Sequence, residues 1–181
     1  KQAYTQGLVD AIIAKDVARR FNINRPQLLY DLNSYLLTQF ACEVSYTQLA
    51  RIFGLSSANT VAKYVTFLQV PYLFFLLERY SFKPKLRMTA PRKVYLADTG
   101  FAPLGFSQDL GRLLENAAFL HLVRQGYKLN REIFSYKTRN QKEIDFVLKA
   151  GTKIVSLVQV CADLTNPKTL DREVSALLEA E

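Results

Sequence analysis

The chain has 181 residues, 49% hydrophobic and 12% aromatic, which is enough apolar material for a core and a length that admits one or two domains; disorder along the whole chain is excluded. With 24 Lys and Arg against 16 Asp and Glu, the formal charge is +8, which points to an anionic partner. Cys42 and Cys161 lie far apart with no signal peptide before them and there is a single His, so neither a disulfide framework nor a zinc site is expected, a cytoplasmic address is, and no apolar run reaches the roughly 18 residues that cross a bilayer.

The chain starts at Lys1 rather than at a methionine and ends in a helical stretch over 174–181, so it reads as a piece of a longer protein. It contains no G-x-x-x-x-G-K-[ST] loop to cradle a nucleoside triphosphate.

In chain order, Leu8, Ile12, Ile13 and Val17 recur at helical spacing, and Arg19, Arg20 and Asn22 suit a helix end. A second helix is expected from Pro26 through Leu28, Leu29, Leu32, Leu36 and Leu37, proline being tolerated in a first turn. Residues 47–53 predict a short helix burying Leu49, Ala50 and Phe53. Gly54 to Ser57 then supply a turn and a cap, and the next helix sets Val61, Tyr64, Val65 and Leu68 on one face. Two short helices joined by a tight Gly-containing turn make a helix-turn-helix.

Residues 73–82, rich in aromatics, and 94–97 predict two strands, and a basic run of Arg79, Lys83, Lys85, Arg87, Arg92 and Lys93, uninterrupted by any acid, leads from the end of the first through the loop to the second. A helix-turn-helix followed by two strands and a basic loop is a winged helix. There Asn59, Thr60 and Lys63 would face the major groove, and Lys83, Lys85, Arg87, Arg92 and Lys93 would meet phosphates. Winged helices also serve as protein–protein modules, with the aromatic stretch 72–82 as the contact surface in that alternative. Through Asp98 the chain carries 13 basic and 6 acidic residues, and after it 11 and 10. Two functional units are therefore expected, 1–98 and 99–181, with a boundary segment at 99–108 punctuated by Gly100, Pro103 and Gly105.

The second half predicts a helix, three strands and a helix. The helix over 110–125 is apolar round most of its circumference, so it should be buried on more than one side; it carries Glu115, and His121 as a core or boundary residue. Residues 133–137 and 143–148 alternate, and 154–160 is apolar on both faces and reads as a central strand. Asn166-Pro167 opens a last helix with Leu170, Val174, Leu177 and Leu178 on one side. A helix Glu (Glu115), a strand Asp (Asp145) and Gln159-Val160-Cys161 in an αβββα order give the ground plan of the restriction-endonuclease-like, or PD-(D/E)xK, fold, in which acids bind a divalent cation and a lysine steadies charge on the phosphate. Here Gln159 is neutral where a third ligand belongs, and Cys161 stands where the lysine belongs. Glu115 and Asp145 remain candidate metal ligands. The other reading is a relict site in which they pair with Lys137, Arg139 or Lys142.

The segments Ser45-Tyr46-Thr47-Gln48-Leu49-Ala50, Asn59-Thr60-Val61-Ala62-Lys63-Tyr64, Lys93-Val94-Tyr95-Leu96-Ala97-Asp98-Thr99-Gly100, Gly111-Arg112-Leu113-Leu114-Glu115-Asn116 and Glu143-Ile144-Asp145-Phe146-Val147 resemble, in this order, a large prokaryotic family of AAA-like ATPases. Its members carry a winged helix and a restriction-endonuclease-like C-terminal domain of unknown function behind the nucleotide-binding core. The resemblance implies ATP and Mg²⁺ for the full-length parent, with an upstream ATPase domain as a partner in the same chain, and no cofactor-binding residue in this fragment. It also implies a final strand, after the last helix, that these residues do not supply. Arg19 would be the residue to reach toward a neighbouring nucleotide. Three functions compete: a non-catalytic module that binds duplex DNA and docks, a metal-dependent nuclease at Glu115, Asp145 and Gln159, and a protein-interaction platform.

Overall fold

The computed structural model describes residues 2–105 and 109–180. The chain is a mixed α/β fold in two compact units, the first made of Lys1–Leu76 and Val94–Gln108, the second of Leu77–Lys93 and Asp109–Glu181. The boundary segment expected over 99–108 is a 3₁₀ stretch, Thr99–Gly105, and its last three residues lie outside the described residues.

In the first unit, α1 (Gln2–Ile12) runs on into a π-helical stretch, Ile13–Arg19, that buries Ile13 and Val17. It ends before Asn22, whose φ of 47° suits an Asn that stops a helix. Helix α2 (Pro26–Thr38) starts on its proline and buries Leu29, Leu32, Leu36 and Leu37, as the leucine spacing dictates. After β1 (Glu43–Val44) come α3 (Tyr46–Ile52) and α4 (Ala58–Gln69), which pack on each other. Between them the chain turns at Gly54, whose φ of +62° is strained for any residue with a Cβ. Ser57 caps α4, its Oγ accepting from the Asn59 N–H at 3.1 Å. Val61, Val65 and Leu68 are no more than 1% exposed, and burial of this kind stabilises by about 1.5–3 kcal/mol per side chain. Strands β2 (Phe74–Leu77) and β3 (Arg92–Leu96) complete a sheet of order β1-β3-β2.

The expected basic loop between β2 and β3 differs from expectation. Pro84 starts a short helix, α5 (Pro84–Thr89), and the whole stretch 77–93 belongs to the second unit. Residues 78–80 run beside β4 (Ile133–Lys137): Tyr80 N–H donates to Ser135 O at 2.6 Å, and Ser135 N–H to Glu78 O at 3.0 Å. An aromatic segment read as wing thus serves as an extra sheet partner.

The second unit otherwise follows the expected order: α6 (Leu110–Arg124), β4, β5 (Glu143–Ala150), β6 (Lys153–Val158) and α7 (Pro167–Ala180), with an antiparallel sheet β4-β5-β6. Tyr80, Phe134, Ile144, Val147 and Ala176 form a core cluster. Three expectations are corrected. Strand β6 lies at the edge of its sheet, with Ile154 44% and Val155 55% exposed, because being apolar on both faces does not by itself place a strand centrally. Helix α7 turns Glu173 and Ala176 inward and leaves Leu170, Val174 and Leu178 exposed. Helix α6 buries Asn116, Phe119, Leu120 and Leu122 on one side only, so His121 is exposed and bonds to Gln125 Nε2 at 2.8 Å.

Candidate functional site

The polar residues singled out in the second half converge, and the cation that organises them comes from β3. Lys93 side-chain exposure is 4%, and its Nζ donates to Glu115 Oε1 and to Asp145 Oδ1, both at 2.9 Å, with Glu143 Oε2 at 3.7 Å. Glu115 is set by α6, whose start is fixed by Asp109 accepting from the Arg112 N–H at 3.2 Å. Asp145 and Glu143 sit two apart on β5, so they share a strand face. Burial alone would lower the Lys93 pKa, but the charges of Glu115 and Asp145 overcome it and hold the ammonium well above the usual lysine range. Glu143 is held below the usual carboxylate range: burial works against this, and the hydrogen bond from Lys137 with the Lys93 charge outweighs it.

The other side of Asp145 is occupied by backbone. Its Oδ2 accepts from Val160 N–H at 3.0 Å, and its own N–H donates to Gln159 Oε1 at 3.2 Å. In the register, Phe146 faces Val158, so the next pair would be Asp145 and Gln159; there the Gln159 side chain replaces the ladder carbonyl. Gln159 Nε2 donates in turn to Glu173 Oε2 from α7, and Glu173 Oε1 takes Arg172. Cys161 points elsewhere, its thiol donating to Asp163 O at 3.2 Å.

These residues do not fit a divalent cation. An ammonium already bridges the two carboxylates, the Gln159 oxygen is committed to a backbone N–H, and Cys161 offers nothing to the cluster. Among the described residues, no group of three or more His, Cys, Asp or Glu is arranged to hold a metal ion. What the arrangement does chemically is to neutralise buried acids and pin β3, α6, β5 and the chain leaving β6 to one another. The relict partners expected for Glu115 and Asp145 (Lys137, Arg139, Lys142) are replaced by Lys93; Lys137 pairs with Glu143 at 3.0 Å and Lys142 with Glu179 at 3.4 Å.

The expected DNA-facing residues separate into groups. Asn59 and Lys63 are exposed on α4 and Thr60 is half-buried beside them, with Lys63 Nζ 5.8 Å from the Phe67 ring centroid. Lys83 and Lys85 are exposed. Arg87 and Arg92 both pair with Glu78, at 3.1 and 3.6 Å, and Arg87 also lies over the Phe134 ring. Lys93 is corrected outright: it is an interior cation, so it meets no phosphate. Glu173 and Asn116, 8% and 0% exposed, escaped sequence reasoning. A signal for Glu173 existed in its spacing to Ala176, Leu177 and Ala180, which is one helical face.

The family model described as Domain of unknown function (DUF8612) matches residues 1–109, and that described as Domain of unknown function (DUF4143) matches residues 110–177. An uncharacterized protein of Methanocaldococcus jannaschii is 32% identical over 187 residues, covering 99% of this chain and 41% of that protein. An uncharacterized protein of Haemophilus influenzae is 23% identical over 171 residues, covering 91% of this chain and 41% of that protein. The chain therefore spans about two fifths of the length of these curated relatives. No solved structure gives a significant match.

Proposed function

We propose, for a chain that belongs to the family described as domain of unknown function DUF8612, that it is a non-catalytic module of a larger cytoplasmic AAA-type ATPase, and that it binds duplex DNA and docks its parent there. The observation that carries the reading is the α3–α4 pair. A tight turn at Gly54 and the Ser57 cap present Asn59 and Lys63 to solvent at the start of α4, where a recognition helix reads bases. The element order α2-β1-α3-α4-β2-α5-β3, with a short helix in the wing connection, and the sheet order β1-β3-β2 support a winged-helix plan. Lys83 and Lys85, exposed in the second unit, supply attraction to phosphates. The second unit has a nuclease-like αβββα plan but keeps an ion cluster where cleavage would need an open metal site, so it holds and does not cut. ATP and Mg²⁺ belong to the parent's upstream domain, for which the 41% coverage of the relatives leaves room.

The test is a salt titration of duplex binding. About five neutralised phosphates give a log–log slope of about −4 to −5. Lys63→Ala together with Asn59→Ala should weaken binding to a preferred site more than to random duplex, and Lys83→Ala with Lys85→Ala should flatten the salt slope. No duplex affinity at low salt, or affinity indifferent to both pairs, ends the reading; cleavage of duplex with Mn²⁺ that is lost in Asp145→Ala would replace it with the nuclease.

A further inference from the structure

We propose that one flank of α4 is a phosphate track: with α4 in the major groove, Arg25, Arg20 and neutral donors beside Arg25 hold the sugar–phosphate backbone that walls the groove. This rests on the duplex reading above and places backbone contacts on the same unit as α4. Asn59, Lys63 and Thr66 recur at i, i+4 and i+7, and Thr60, Tyr64 and Phe67 form the neighbouring row, about 100° round the helix. A helix about 10–12 Å across fills a groove about 12 Å wide, so the row beside the base-facing one meets the backbone. That second row carries suitable groups at both of its ends.

At the start of the row is a groove of about 510 Å³ whose lining includes Asn24, Arg25, Ser56, Thr60 and Tyr64. Among the described residues no carboxylate lines it, and none of these five side chains makes a hydrogen bond or ion pair. Arg, Ser, Thr, Asn and Tyr side chains are the types that bind phosphate and sugar oxygens in duplex complexes. One guanidinium also matches the single charge of one phosphodiester. Further along, about 10 Å by the rise of a helix, Phe67 stacks on Phe21 with ring centroids 4.1 Å apart, and Arg20 lies over Phe21 at 5.7 Å. A ring directs a guanidinium without neutralising it. Arg20 is exposed and enters no ion pair among the described residues, Asp16 four residues earlier included. Two unpaired cations thus stand along one flank of α4, both in the first unit. Lys63 lies over Phe67 of the same stack, so one aromatic pair fixes a base-facing and a backbone-facing cation together.

The experiment is a salt titration of binding to a labelled duplex, followed by anisotropy. Each cation of the track neutralises one phosphate, so Arg20→Ala and Arg25→Ala should each flatten the log–log slope by about 0.9, and together by about 1.8. The loss should be equal on a preferred site and on random duplex, because backbone contacts carry no sequence. Arg20→Lys and Arg25→Lys keep the charge and should keep the slope. Lys153→Ala removes one exposed charge from the second unit and should leave the slope unchanged, which separates a contact from net charge. Thr60→Val with Tyr64→Phe should weaken binding about tenfold at constant slope, as loss of two neutral hydrogen bonds does. If both Ala variants match Lys153→Ala while Asn59→Ala with Lys63→Ala still erases site preference, the track is overturned and the duplex reading stands. No duplex affinity at low salt removes both. A single strand of the same length that outcompetes the duplex also overturns the track, whose geometry requires a helix seated in a major groove.

Discussion

Lys93 shows what one residue decides. It closes a run of cations that sequence alone assigns to solvent, yet its partners lie 22 and 52 residues further on, at Glu115 and Asp145. Nothing local marks the difference, since a lysine beside Val94 and Tyr95 fits either an exposed or a buried strand position. Removing the ammonium strands two acids in the interior. Lys93→Met should therefore cost about 3–5 kcal/mol in urea unfolding. Adding Glu115→Gln and Asp145→Asn to that variant should recover more than half of the loss, because the burden is the unpaired charge and not the lost contact. A triple variant no more stable than the single one would show that the cluster acts through packing alone.

At the scale of elements, helices were legible where an apolar face coincided with a local stop signal. Leu29, Leu32 and Leu36 with Pro26 gave α2, and Val61, Val65 and Leu68 with Ser57 gave α4. Strand β5 was legible from its alternation. The failures share one cause: an apolar pattern states that a face can be buried, not that a partner covers it. Hence β6 sits at an edge and α7 exposes Leu170, Val174 and Leu178. Two glycines separate propensity from packing. At Gly7, inside α1, a Cβ meets nothing within 4 Å, so Gly7→Ala should stabilise by up to about 1 kcal/mol. At Gly105 a Cβ would collide with the Leu37 backbone carbonyl, where α2 and the 3₁₀ segment meet, so Gly105→Ala should destabilise by about 1–3 kcal/mol or more. Urea midpoints moving in the same direction for both would contradict this account.

At the scale of the whole molecule, the ion network sets the pH limits of stability. Glu143 is held below its ordinary 4.5, through the Lys137 hydrogen bond and Lys93 against the opposing effect of burial. Glu179 is held at about 2 by hydrogen bonds from Thr138, Asn140 and Lys142. Depressed carboxylates contribute stability that is complete above 4.5 and is lost as pH falls toward 2; Glu179 is only half-buried, and screening by nearby solvent keeps its share small. Lys93 has the opposite sign. Its pKa is raised from 10.5, so its contribution is complete below that value and is lost only as pH rises beyond it. Urea unfolding from pH 2 to 11 should thus show a fall on the acid side and none between neutrality and pH 10; a loss near pH 9 would mean that Lys93 is not held as described.

The amino-acid sequence by itself determined the surplus of positive charge, the helical and strand segments with a clear period, the α–β–β–β–α order and the residue types that gather around Asp145. Those are properties of neighbours along the chain. Tertiary structure alone decided where the charge goes. The chain enters the second unit at Leu77 and leaves it at Lys93, so the basic run belongs with α6, the β4-β5-β6 sheet and α7 and not with the α3–α4 pair that precedes it. It also turned the last cation of that run inward. A lysine's charge is free for a ligand only where no carboxylate approaches it through space, and that proximity is set by the fold and not by sequence distance.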